Sequence, residues 1–421
     1  MTILKKTLLD FGFSNQESQL ALLNIFNCAG YFSDQNIWQA INLMEFGENG
    51  KKETNNWQAG ELKTFLSLKK TLDEARIKNI FNAEYFLQNA FNDKNIFDAE
   101  DVQDFLLYIG QTAFGRENGQ ERCDLVEHDW MTIYKDEYFT NAAILGFINE
   151  KKPHHKKYDE SWIQGGARIR MIARINYLKD IQNNNIETGI VRILTGEREL
   201  SIELDSISDD VAEIKNFILN LAAENNIKYD ASHPFIKKNF GGVIKTCLNN
   251  IDGHRVTETM MVKKIYREVF GKEIINVVDS SAVEKIGRPT TQKNARDIIE
   301  GDLLLRIKNG DFSKDVPIKI MIISNQPYCN RQVGTIDRTA FEVLNEKLSN
   351  GEINHKYQMI FDGVGEASKS TVTQVHSVLG ALISEDFLHA ISNDQNKRKR
   401  DINNLMFASR HNDITLKLPN L

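Results

Sequence analysis

The sequence predicts an α/β domain on a mostly parallel sheet of about five strands, with helices on both faces and an all-helical region ahead of it. Three observations carry this. Residues 1–125 repeat apolar positions at three- and four-residue steps. From residue 158 onward, short β-type runs alternate with helical stretches. Each of those runs stops at small or polar residues of the kind a strand-to-helix turn favours. A chain of 421 residues has room for two domains.

In the leading region, Gln19–Phe26 and Leu62–Ile80 carry the helical spacing. Ser33-Asp34-Gln35-Asn36 and Asp98 offer N-caps. A phenylalanine series (Phe65, Phe81, Phe86, Phe91, Phe97, Phe105) reads as core, although a protein partner docking on residues 1–125 is the alternative use. Residues 126–157 read as a connection, polar and basic at Lys151-Lys152-Pro153-His154-His155-Lys156-Lys157. Adjacent histidines there, with no acidic partner nearby in sequence, read as solvated surface and not as metal ligands.

The α/β domain is expected over 158–395 and a basic tail over 396–421. Ser161–Gln164 forms a first strand, followed at once by Gly165-Gly166 and a helix. Ile190–Leu194 is a second strand, with a helix at 209–225 and an irregular stretch over 228–255. Helical pattern resumes at Thr257, and Ile274–Val278 is a third strand. A helix start at Thr291-Gln292-Lys293-Asn294-Ala295 leads to the clearest strand, Ile318–Ile323. After a helix over 335–348, Tyr357–Phe361 is a fifth strand, ending at Asp362-Gly363, before a last helix at 370–391. Lys397-Arg398-Lys399-Arg400 in the tail reads as a solvated basic run.

Composition narrows the function classes. Hydrophobic residues at 41% and charged residues at 26% are ordinary for a globular protein. A net charge of −6 argues against a dedicated nucleic-acid binder, whose domain is usually basic. Cys28, Cys123, Cys247 and Cys329 lie far apart and form no C-x-x-C pair, which predicts free thiols and no zinc site. No run approaches the roughly eighteen apolar residues of a membrane span. Met1–Asp10 is a poor signal peptide, so a cytoplasmic protein is expected, secretion without a signal peptide being the alternative.

In an open parallel sheet, ligands bind outside the carboxyl ends of the strands. The expected ends here are Gln164-Gly165-Gly166, Thr195-Gly196-Glu197, Asp279-Ser280, Ser324-Asn325-Gln326 and Asp362-Gly363. Caps account for the small residues. They do not account for Arg168, Glu197, Arg198, Asn325, Gln326 and Arg331. Arginines suit phosphate oxygens, and side-chain amides suit a sugar or base edge.

Those positions carry a family resemblance. The chain over 158–340 resembles the SanA/YdcF-like group of Rossmann-like proteins, as a divergent member. The matching features are Gly165-Gly166 with Arg168, Thr195-Gly196, Glu258, the T-x-x-N-A start at Thr291-Gln292-Lys293-Asn294-Ala295, and Ser324 with Arg331. Tyr328 stands where the family usually has a histidine. The resemblance implies a Rossmann-like fold; family members have been connected with bacterial envelope maintenance, and one with binding S-adenosylmethionine.

Together these readings predict a cleft for a phosphorylated or nucleotide-like small molecule. Gly165, Gly166, Arg168, Gly196, Arg198, Asp279, Thr291, Asn294, Ser324, Asn325, Gln326, Tyr328 and Arg331 would line it, and Glu197 or Glu258 would act as general base or acid. The alternatives are an S-adenosylmethionine-binding protein and a non-catalytic interaction protein. No G-x-G-x-x-G, G-x-S-x-G or metal-ligand spacing is present, which argues against a dinucleotide enzyme, a serine hydrolase of that type or a metal enzyme. The cofactor, the reaction and the substrate are not legible in the sequence.

Overall fold

A computed structural model describes residues 8, 15–29, 127–196, 198, 200, 205, 211–226, 256–281 and 290–380. The chain divides into two compact units, Met1–Ile148 with Ser370–Leu421, and Asn149–Lys369.

In the first unit the described elements are helical: α1 (Gln16–Cys28), α2 (Asp129–Ile133), α3 (Lys135–Ile144) and residues 372–380. Asn15 caps α1, its side chain accepting the Ser18 N–H at 2.8 Å. Leu22, Leu23, Ile25 and Phe26 of α1 and Tyr138 of α3 are fully buried. The Tyr138 hydroxyl bonds His376 Nδ1 at 3.0 Å, and Trp130 packs edge-on against the same imidazole at 5.1 Å between centroids. The stretch expected to be a connection is therefore helical from Asp129 to Ile144. Val372, Val375 and His376 are buried and fall in the same unit. The phenylalanine series, the irregular stretch 228–255 and the basic tail lie outside the described residues.

Among its described residues the second unit has five strands, all parallel, in the order β3-β2-β1-β4-β5. They are β1 (Glu160–Gln164), β2 (Ile190–Gly196), β3 (Val277–Ser280), β4 (Ile318–Asn325) and β5 (Met359–Glu366). The helices are α4 (Arg168–Asn183), α5 (Val211–Glu224), α6 (Glu258–Phe270), α7 (Thr291–Ile298), α8 (Leu304–Lys308) and α9 (Cys329–Ser349), with a π turn at Ile299–Leu303. Side chains alternate across the sheet and feed two cores. Ile163, Ile193, Met321 and Ile323 face Met171, Ile175 and Val262 on α4 and α6. Trp162, Leu194, Ile320 and Ile322 face Ala295, Ile336 and Val343 on α7 and α9. Burial on both faces explains why β4 reads as an unbroken apolar run. This is a Rossmann-like α/β fold.

Two strands differ from expectation: β3 starts at Val277, three residues after the expected Ile274, and runs on to Ser280, and β5 is displaced further. β5 runs on to Glu366, so Asp362-Gly363 is not a strand end; Asp362 pairs in register with Met321, in mid-strand. Its buried carboxylate accepts the Tyr158 hydroxyl and the His154 N–H at 2.8 Å, and it pairs with His154 Nδ1 at 2.7 Å. His154 therefore has an acidic partner, supplied from a strand some two hundred residues on, although its own side chain is 75% exposed.

Candidate functional site

Chain order reverses between β1 and β4, and their carboxyl ends define the switch-point crevice of such a sheet. β1 gives way to Gly165-Gly166. A Cβ on Gly165 would lie 2.2 Å from Glu258 Oε1 and 2.7 Å from the Leu194 carbonyl, so the turn admits no side chain. α4 then starts at Arg168 after Ala167, which has no side chain to cap it. Such a turn leaves N–H groups available for an anion.

The anions that fill this place are the protein's own. Glu258 Oε1 accepts the Gly166 N–H at 2.9 Å, and Asp205 Oδ1 accepts the Arg168 N–H at 3.1 Å. Arg198 lies between the two carboxylates, with Nε on Glu258 Oε2 at 2.8 Å and two further nitrogens on Asp205 at 2.9 and 3.0 Å. All three side chains are buried or nearly so. Burial opposes the charge on Arg198, but Asp205 and then Glu258 outweigh it and hold its pKa above the ordinary value. Burial pushes Glu258 above the usual carboxylate range, against the pull of Arg198. Both Glu258 oxygens are engaged, so its evident task is to hold the glycine turn. Arg168 lays its guanidinium over Phe217, 4.4 Å from the ring centroid.

The β4 side of the crevice is different. Arg174 on α4, only 2% exposed, donates from Nε to Asn325 Oδ1 at 2.8 Å, and from Nη1 to the carbonyls of Gln164 and Gly165 at 2.5 and 2.6 Å. It thereby ties the end of β1 to the end of β4. One turn earlier, Arg170 stacks on the buried Tyr328 ring, 4.4 Å from the centroid. Neither guanidinium is hydrogen-bonded to a carboxylate among the described residues. Burial, and then the charge of Arg170, lower the Arg174 pKa to about 10.

The remaining expected residues distribute as follows. Thr290, and not Thr291, caps α7, its hydroxyl accepting the Lys293 N–H at 3.1 Å; Thr291 is the first helical residue. Asn294 donates to the Leu194 carbonyl at 3.3 Å. Asp279 is exposed on β3, paired in register with Thr195, and accepts from the Thr259 hydroxyl at 2.7 Å. Ser324 donates to Gln332 Oε1, and Gln326 to the Asn149 carbonyl at 3.0 Å. Arg331 sits in the first turn of α9. Glu197 lies outside the described residues. Sequence reasoning missed Asp205 and Arg174. The missing N-cap at Ala167 is a signal that a distant acceptor serves α4, although nothing in the sequence identifies Asp205 as that acceptor.

The chain matches no family model, no curated protein and no solved structure. Among the described residues no cluster of His, Cys, Asp and Glu has metal-binding geometry, and no helix is long and apolar enough to cross a membrane. Cys28 and Cys329 are free and buried, and burial raises their thiols to about 12 and about 11.

Proposed function

We propose that residues 149–369 bind a phosphorylated or nucleotide-like small molecule at the carboxyl ends of the strands, in the crevice between β1 and β4. The observation that carries this reading is the Arg170–Arg174 pair. Two like charges sit one helical turn apart, and neither is hydrogen-bonded to a carboxylate among the described residues. An unneutralised pair at a switch point favours an anionic group, and guanidinium suits phosphate oxygens. Arg198 has a different part. With its bonds to Asp205 and Glu258 it shapes the turn and is not the anion's main partner. Kinship with the SanA/YdcF-like group belongs to the same proposal. It is supported by the fold and by Gly165, Gly166, Gly196, Asn294 and Ser324, which carry the resemblance and stand at or beside strand ends.

The test is calorimetric titration of the full chain with inorganic phosphate and with ribose 5-phosphate. Binding in the millimolar range or tighter is expected, and Arg170→Gln should weaken it about tenfold with unchanged thermal stability. Absence of binding by either compound, or equal binding by the variant, overturns the reading.

A further inference from the structure

Around the end of β2, on the face covered by α7 and α9, three buried polar atoms have no hydrogen-bond partner among the described residues: Gln164 Nε2, Asn294 Oδ1 and Ser280 Oγ. Their residues are 1%, 7% and 2% exposed. Buried polar groups without partners are few in folded proteins, and each is destabilising unless something meets it.

Register brings them together. Gln164 is paired with Leu194, whose carbonyl accepts the Asn294 amide N–H at 3.3 Å. That bond sets the orientation of the Asn294 amide and leaves its oxygen as the unmet acceptor. Two residues on along β2, Gly196 pairs with Ser280. Leu194 and Gly196 lie on the same face by alternation, and Gly196 contributes no side chain between Gln164 on β1 and Ser280 on β3. Adjacent strands are about 4.8 Å apart, so the three groups border one small area spanning three strands. It adjoins the switch point, because Gln164 also gives its carbonyl to Arg174.

We infer that Gln164, Asn294 and Ser280 form a recessed subsite for the neutral, planar part of the ligand: a nucleobase or carboxamide edge that presents a hydrogen-bond acceptor beside a donor. Gln164 Nε2 supplies a donor, Asn294 Oδ1 an acceptor, and the Ser280 hydroxyl serves as either. A sugar phosphate without a base satisfies the arginines and leaves these atoms unmet. This inference rests on the anion reading above and names the class of compound that would follow from it: a nucleoside monophosphate, held at its phosphate by Arg170 and at its base edge by the subsite.

The experiment titrates the full chain with the four common ribonucleoside 5′-monophosphates and with ribose 5-phosphate. At least one nucleotide should bind about tenfold or more tightly than ribose 5-phosphate, the gain expected of one or two buried hydrogen bonds. Gln164→Met, close in volume and without the amide, should remove most of that difference and leave ribose 5-phosphate affinity unchanged. Its melting temperature should equal or exceed that of the native chain, because the substitution deletes an unmet polar group. Equal affinity for nucleotides and ribose 5-phosphate overturns the subsite and spares the anion reading. No binding of any compound overturns both. A Gln164→Met variant that unfolds more easily shows that the amide is a structural bond and also overturns the subsite. If it retains the full nucleotide preference, the base edge is read elsewhere and the subsite is again overturned.

Discussion

The backbone N–H of Gly166 donates to Glu258 Oε1 at 2.9 Å, so a carboxylate from the start of α6 occupies the turn where α4 begins. A glycine turn ahead of a helix reads in sequence as an opening for a ligand anion. Here the opening is closed from within, and the arginines with no hydrogen-bonded carboxylate among the described residues, Arg170 and Arg174, lie on the other side of the crevice.

The fit at that turn is tight enough to test with one methyl group. Gly165→Ala places a Cβ against Glu258 Oε1 and the Leu194 carbonyl. A loss of about 2–3 kcal/mol in urea unfolding is expected. In a Glu258→Ala background the same change should cost less, since only the Leu194 contact persists. Strict additivity of the two substitutions would show that they do not meet.

Arg198→Met should cost about 3–5 kcal/mol, because it removes the guanidinium shared by two buried carboxylates. The deficit should depend on pH. Burial already raises Glu258 above its ordinary value of 4.5, so the folded form keeps a proton that the unfolded chain gives up. Its favourable contribution is complete below 4.5 and is lost as pH rises through the folded pKa. The Arg198→Met variant should therefore fall furthest behind the native chain toward neutral pH, as measured by unfolding between pH 4 and 8.

His376 gives the opposite sign. Burial, and then the nearby His128, hold its pKa well below 6.5. The unfolded chain takes up the proton first, so this stability is present above 6.5 and lost as pH falls toward the folded pKa. A decline approaching about 1.4 kcal/mol per pH unit is expected, read by hydrogen exchange in 129–144. His376→Gln should flatten that profile.

Glu160, buried at the amino end of β1, accepts from Trp162 Nε1 at 2.7 Å and Arg192 Nε at 2.8 Å, and bonds Arg306 as well. Arg192 also reaches Asp302 at 2.5 Å. Glu160→Leu leaves the indole N–H and one face of Arg192 unmet, and should cost about 3 kcal/mol or more. Glu160→Gln, which retains an acceptor, should cost clearly less. Because this network lies at the opposite end of β1 from the crevice, neither change should alter ligand affinity at fixed temperature.

Much of the fold was legible because its signals are local. The apolar run of β4, the turn after β1 and the helical spacing of α1 each depend on a few neighbouring residues. The end of β5 was not legible, because Asp362-Gly363 has the composition of a turn. Only the pairing of Asp362 with Met321 and its bonds to Tyr158 and His154 keep it inside the strand. A buried carboxylate in mid-strand is tolerated when its partners come from elsewhere in the chain.

The candidate site divides in the same way. The sequence by itself determined that the strands end in glycines, amides and arginines, since those residue types are written at the ends of periodic runs. Tertiary structure alone decided which of them are satisfied. Arg198 and Arg174 look alike in the sequence, yet one is bonded to two carboxylates and the other to neutral oxygens at the switch point. Asp205, 37 residues from Arg168, caps α4 only because the fold returns it there. Composition can place a charge on an element. Whether that charge is neutralised depends on partners brought together from distant parts of the chain, and in this crevice those partners close the β1 turn and, among the described residues, leave Arg170 and Arg174 without a hydrogen-bonded carboxylate.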